Sequence, residues 1–447
     1  MALAYSQLNH PLRVPLAAEV HSRPSLRLRA PETITHLAIY ARDDAHVGGD
    51  NLSTQHAILS AFCAHFGVAS PAGDAKYFFH DYGRFRLKWE CHTEFATYSF
   101  VENAAGLAAP EWDAEQAFSR APLRHLPQQW LLELQGKIMV ATHVVLAPAA
   151  ACLSDAGPLG RIFEGSVLVG SEVLQRGQVW TDFLIQADGF SRFIVKDVDF
   201  LDQQAGRIVQ RLLEIETYRM MALLGLPHAQ RSAPLLNAIE NALVTLTAAM
   251  TMSNSVSAEL SDTESEQGLL RQIIALAARI EKLSLENSYR FSASKAYFRL
   301  VQSRIEELRE IRVEGVPTIE EFMDRRLAPA MNTCEAIMRR QETLAERIAH
   351  TNDLLRTRVG IVQEQQNRQI LQSMNTRAAQ QLRLQQAVEG LSVAAISYYV
   401  AGLLQYAGKG LKAAGLAVNP DLVTGMLIPA IAGAVWWGLR RMHRGLH

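Results

Sequence analysis

Cysteine is scarce: the chain has four in 447 residues, at positions 63, 91, 152 and 334, with no CxxC pair among them. Such spacing excludes a disulfide-stapled scaffold and fits a reducing compartment. The sequence has no GxSxG elbow, no Walker A loop, no HExxH helix and no GxGxxG turn in a βαβ setting, so no catalytic signature is present and the chain is not expected to be an enzyme. A formal net charge of −1 leaves no basic surplus for nucleic acid. The opening residues, MALAYSQLNHPLRVPLAAEV, hold no apolar core followed by a small-residue cleavage site, and no export of the soluble part is expected.

The chain does have hydrophobic residues, at 49%, with 20% charged, which describes a globular protein long enough for two domains. Its C-terminal part holds two uncharged apolar stretches, residues 390–408 (GLSVAAISYYVAGLLQYAG) and 422–439 (LVTGMLIPAIAGAVWWGL). At about 1.5 Å per helical residue each reaches roughly 27–28 Å, close to the ~30 Å hydrocarbon core of a bilayer. Arg377 and Arg383 precede the first stretch and Arg440, Arg441 and Arg444 follow the second, whereas the connection holds only Lys409 and Lys412. That asymmetry favours a two-pass protein with both termini on the cytoplasmic side of an inner membrane. The expected partners are the lipid bilayer and further copies of the chain.

The chain changes character near residue 200. Ten of the 14 histidines fall in the first 143 residues, where β-branched and aromatic residues are also concentrated. Residues 84–91 alternate strictly, with Phe85, Leu87, Trp89 and Cys91 on one face and Arg84, Arg86, Lys88 and Glu90 on the other, as a half-buried strand requires. Further strands are expected over 35–40, 93–101, 138–146, 166–174, 178–186 and 191–198, with a hairpin at the short gap around 92–94. A helix carrying Leu52, Ile58, Leu59, Phe62 and Phe66 should end at Gly67. After Leu201 the period is helical. Ser261 with Glu264 and Thr318 with Glu321 have capping-box spacing, and no proline interrupts residues 330–407. That segment predicts one continuous helix of roughly 117 Å, entering the first apolar stretch.

The expected fold is therefore α+β: an N-terminal, mostly antiparallel sheet domain over 1–200, a helical domain over 201–317, a long stalk helix over 318–387 and a two-span transmembrane anchor over 388–440. Within the stalk, residues 363–386 contain eleven Gln or Asn. They form either a solvated helix face or a polar layer where copies of the helix meet.

Three segments, HPLRVPLAAEVHSRP (10–24), LKWECHTEFATYSF (87–100) and RLQQAVEGLSVAAISYYVAGLL (383–404), resemble signature stretches of an uncharacterised bacterial family of membrane-anchored proteins. That resemblance implies a membrane anchor and no assigned activity. The order of parts, a cytosolic α/β portion, helices, one very long helix and a C-terminal hairpin, is similar to the CorA-type magnesium channels, which are pentamers. That family follows its first span with Gly-Met-Asn, where this chain has Tyr406-Ala407-Gly408-Lys409-Gly410. The resemblance makes Tyr406, Gly408 and Lys409 pore candidates and implies an oligomer that moves or senses ions. A membrane-tethered scaffold without transport or catalysis is the alternative.

The strongest local constellation is Glu19-Val20-His21-Ser22-Arg23-Pro24. In an extended chain Glu19, His21 and Arg23 share one side, and His92 with Glu94 repeats the spacing. Docked together they would offer carboxylate and imidazole ligands to a divalent metal ion, or a guanidinium to an anion. The structural alternative is a set of ion pairs tying the N-terminal arm to the sheet.

Overall fold

The computed structural model describes residues 8–14, 16–17, 24–40, 51–103, 113–151, 156–164, 167–201, 203–253, 262–413 and 420–444. Two compact units emerge, Met1–Ala249 with Ile273–Ala349, and Met250–Gln272 with His350–His447. These cut across the four sequence intervals: much of the helical middle belongs with the sheet.

Nine strands form one sheet in the first unit: β1 (Glu32–Ile39), β2 (Tyr77–Asp81), β3 (Arg86–Cys91), β4 (Ala96–Asn103), β5 (Ile138–Ala147), β6 (Val169–Val173), β7 (Gly177–Thr181), β8 (Ser191–Asp197) and β9 (Glu310–Arg312). Their order is β2-β3-β4-β1-β5-β8-β7-β6-β9. Every pairing is antiparallel except β5 with β8, so the mostly antiparallel expectation describes it. β2 and β9 were not anticipated. β9 is three residues long, too short to show a period-2 signal between two helices. The strand expected over 178–186 ends at Thr181, because the Thr181 hydroxyl accepts the N–H of Phe183, whose φ is +55°.

One face of the sheet is covered by α1 (Asn51–His65) and α3 (Gln128–Glu133). Phe62 of α1 packs on Trp130 at 4.9 Å between ring centroids and on Phe100 at 5.5 Å, with Trp89 and Tyr98 fully buried beside them. As predicted, α1 is followed by Gly67, at φ +66°. The opposite face is covered by α5 (Gln204–Leu223), which buries Ile208, Val209, Leu212 and Ile215. Short helices α2 (Ala114–Ser119) and α4 (Ala156–Ile162) flank the far strands.

Coverage on both faces modifies the half-buried reading of residues 84–91 at one position: Arg84 is exposed and Arg86 and Glu90 are partly so, but Lys88 is not. The charged side of β3 lies under α5, and Lys88 is only 4% exposed. Alternation of polar and apolar residues marks a solvated face only when nothing covers it.

The rest is helical: α6 (Gly225–Ser253), α7 (Asp262–Leu308), α8 (Ile319–Arg326), α9 (Ala328–Ala413) and α10 (Pro420–Arg444). The Thr318–Glu321 capping box is formed, with both reciprocal hydrogen bonds; Ser261 lies outside the described residues. The proline-free segment is one unbroken helix, α9, of 86 residues. Among the described residues one helix, the one carrying residues 390–408, is long and apolar enough to cross a membrane, with mean hydropathy 1.5 over its apolar window. Of the second apolar stretch, 422–439, the described residues give a shorter apolar helix, Thr424–Gly438. A two-span hairpin is thus reduced, among the described residues, to one candidate span.

Candidate functional site

Between the sheet and α5 lies a cavity of about 240 Å³. Strand register explains its polarity. Lys88 stands opposite Ser99, Ser99 opposite His36, His36 opposite Thr142 and Thr142 opposite Ser191. A polar row therefore crosses five strands on the face beneath α5. All five residues are buried, and such groups are costly there unless each finds a partner.

The partners come from α5 and from within the row. His36 Nδ1 is 2.9 Å from Ser99 Oγ, and its Nε2 is 3.2 Å from Thr217 Oγ1. Burial, helped by the nearby Lys88 ammonium, lowers the His36 pKa to about 3, so the ring is neutral at ordinary pH. Lys88 Nζ lies 3.1 Å from Glu90 and donates to Gln210 Oε1 at 3.4 Å. Gln210, Glu214 and Thr217 follow at helical spacing and so face the sheet together. At the other end of the row Thr142 and Ser191 hydroxyls are 2.7 Å apart, and Ser191 donates to the buried Glu216 at 2.9 Å. Arg219 closes on both Glu216 oxygens. That end is filled and satisfied; the Lys88 end is open.

Leu26 and Leu28 form the outer wall. Residues 24–29 run close over α5 because position 206 is glycine: a Cβ there would sit 1.7 Å from the Leu26 carbonyl oxygen. The arm is held by Arg86, which pairs with Glu32 at 2.5 Å and donates to the Arg27 carbonyl at 2.9 Å. At the mouth, Arg304 of α7 pairs with Glu214 and with Glu307, the latter at 2.6 Å.

Glu19, His21 and Arg23 lie outside the described residues. His92 lines the cavity, its ring stacked on Phe95 at 4.5 Å. Glu94 does not join it. β3 ends at Cys91 and β4 starts at Ala96, so 92–95 is a turn and the two-residue alternation fails. Instead Glu94 is buried in a bidentate ion pair with Arg290 of α7, both bonds 2.9 Å. Burial pulls the Arg290 pKa down, but the Glu94 hydrogen bonds and charge outweigh it and raise the value. Among the described residues no group of three or more His, Cys, Asp or Glu could hold a metal ion. In the second unit, Lys409 Nζ sits 5.8 Å from the ring centroid of Tyr406. Tyr406 is exposed on the same helix as Gly408.

Sequence reasoning did not single out His36, Lys88, Ser99 or Thr217. A signal was present, because polar residues alternate inward on three consecutive strands and Gln210, Glu214 and Thr217 share a helix face. Reading it required the pairing order.

Fold and site together define an α+β protein with a buried polar cavity between its sheet and a helix. The chain belongs to the family described as "Protein of unknown function (DUF3422)", whose model matches residues 8–446. No curated protein matches it. Among solved structures, "structure of the full-length CmaX protein" is similar at 13% identity, covering 68% of this chain and 89% of that one. Its TM-score of 0.14 gives it no weight for fold or function.

Proposed function

We propose that the chain is a membrane-anchored sensor: its first unit takes a small molecule into the cavity beneath α5, and the apolar helices of its second unit hold it at a bilayer as a homo-oligomer. The observation that carries this reading is the open end of the polar row. A buried lysine and a neutral histidine facing about 240 Å³ of space are poor choices for stability, since apolar packing of the same volume is often as stable as a buried ion pair or more so. Retained ionic groups around unfilled space are what a ligand site needs. The anchoring part is supported by the exposed apolar surface of α9, where Leu391, Tyr398, Tyr399 and Leu403 are each at least 70% exposed.

The test is mass spectrometry of the full-length protein purified in mild detergent. The wild type should release a small molecule that Thr97→Phe, which fills the cavity, does not carry. A wild-type protein free of any bound molecule, equal to the filled variant, would overturn the reading and leave a tethered scaffold.

Ion passage of the CorA type is a second reading, and one observation favours it: α9 runs unbroken from Ala328 to Ala413, through the candidate span to Tyr406, Gly408 and Lys409. Its test is magnesium flux into proteoliposomes. Flux that Lys409→Ala leaves unchanged would remove these residues from any path.

A further inference from the structure

Resting on the reading of the cavity as a ligand site, the charges around it determine which ligand fits. A second polar hollow, lined by Ser25, Arg207, Gln210, Arg211, Glu214, Arg304 and Glu307, shares Gln210, Glu214 and Arg304 with the cavity and forms its mouth. Inside the cavity, charges balance: Lys88 is paired with Glu90, and Arg304 with Glu214. At the mouth they do not. Arg211 pairs with Glu307 at 2.8 Å, and Arg304 shares that same carboxylate. Arg207 is exposed and has no ion-pair partner among the described residues. Cavity and mouth together therefore present Lys88, Arg207, Arg211 and Arg304 against Glu90, Glu214 and Glu307, one positive charge in excess. His36 adds none, being neutral.

Beyond this cationic rim the walls are apolar and aromatic: Leu28, Phe95, Val209, Leu213 and Tyr218. A cavity of about 150 Å³ holds benzene, so the space here takes an aromatic or short aliphatic body. Hydroxyls of Thr97, Ser99 and Thr217 lie on the same lining, close to the sheet floor.

We propose that this site binds a small organic acid, with its anionic group at the mouth on Arg207 and its apolar body between Phe95, Leu28 and Leu213. A guanidinium without a carboxylate partner among the described residues is free to make charge-assisted hydrogen bonds to the ligand, whereas its neighbours are already committed. A cationic ligand would add charge to a rim that has a surplus of it. Inorganic phosphate would satisfy the rim and leave the apolar walls wet.

The experiment is isothermal titration of the full-length protein in detergent, stripped of any bound molecule, with three probes: 3-phenylpropionate, 3-phenylpropylamine and inorganic phosphate. The first should bind and the matched amine should not, and phosphate should bind more weakly than the first. Arg207→Gln should weaken 3-phenylpropionate binding about tenfold or more, Arg207→Lys should retain most of it, and Thr97→Phe should abolish it at an unchanged thermal midpoint. Amine binding equal to or tighter than that of the acid would overturn the charge assignment while leaving a ligand cavity. Phosphate binding as tight as the acid would overturn the apolar body. No heat from 3-phenylpropionate at millimolar concentration would overturn the organic-acid proposal, and the mass spectrum of the unstripped protein tells whether the cavity reading falls with it.

Discussion

The two faces of the sheet are both covered and chemically opposite. On β3, Trp89 enters a cluster with Tyr98, Trp130 and Phe62, while its neighbour Lys88 enters the polar row under α5. The aromatic face is bound by dispersion and area removed from water. The polar face is held by hydrogen bonds whose net worth is small, and it encloses a cavity. Burial alone thus does not mark a core: one side of the sheet stabilises the unit, and the other forms the candidate site.

That contrast can be broken most severely on the aromatic face. Phe62→Ala should cost about 3–5 kcal/mol, because the ring's contacts and a cavity are lost together. Chemical denaturation of the full chain would measure it, and a cost below that of a typical surface change would refute the assignment of stability to this face. Arg290→Met should cost a similar amount, about 3–5 kcal/mol, by stranding the buried Glu94 carboxylate. The double variant with Glu94→Leu should recover most of it.

The polar face should show itself through pH. Burial lowers the pKa of His36 to about 3, and that of His143, which stacks on Phe190 at 4.0 Å on the other face, to about 4. Both values lie below the ordinary value of about 6.5, so as pH falls the unfolded chain takes up protons that the folded chain refuses. The stability contributed by neutral His36 is whole above pH 6.5 and is lost progressively toward its folded pKa, by about 2 kcal/mol between pH 6.5 and 5. Denaturation midpoints at neutral and mildly acidic pH should show this slope, and His36→Gln should flatten it. A slope the variant leaves unchanged would mean that His143 alone carries it.

Smaller still is the expected change for Lys88→Met with Glu90→Gln, within about 1 kcal/mol of wild type or stabilising, while ligand binding is lost. Stability and binding would then separate on the same face. Smallest of all for the first unit is replacement of Gln366, Gln369 and Gln372 by Glu, which should leave its stability within about 0.5 kcal/mol. If the amide-rich stretch is a shared layer, the same change disperses the oligomer by like-charge repulsion, read by light scattering. An unchanged mass would assign these amides to a solvated face.

Much of the architecture was legible in local pattern. Alternation located β3, and β-type runs located β1, β4, β5, β6, β7 and β8. The run ending at Gly67 located α1, Thr318 with Glu321 marked the start of α8, and the missing prolines foretold the length of α9. Each of these rests on neighbours in sequence, on a backbone period or on a cap, and such signals survive without knowledge of the fold. β9 was lost because three residues carry no period. The hairpin around His92 and Glu94 was legible, but not that Glu94 would turn to Arg290 of α7.

The sequence by itself determined where most helices and strands lie and that the α9 region carries a long apolar window, properties of adjacent residues and composition. Only the tertiary structure decided that the charged side of β3 is covered. Strand order brings Lys88, Ser99, His36, Thr142 and Ser191 into one row, although they are drawn from positions 36 to 191. Gly206 then lets residues 24–29 close over α5 and wall the cavity. The physical reason is that period 2 assigns a residue to a side of its strand, but what lies on that side depends on a helix distant in sequence, more than a hundred residues away for Lys88, Ser99 and His36.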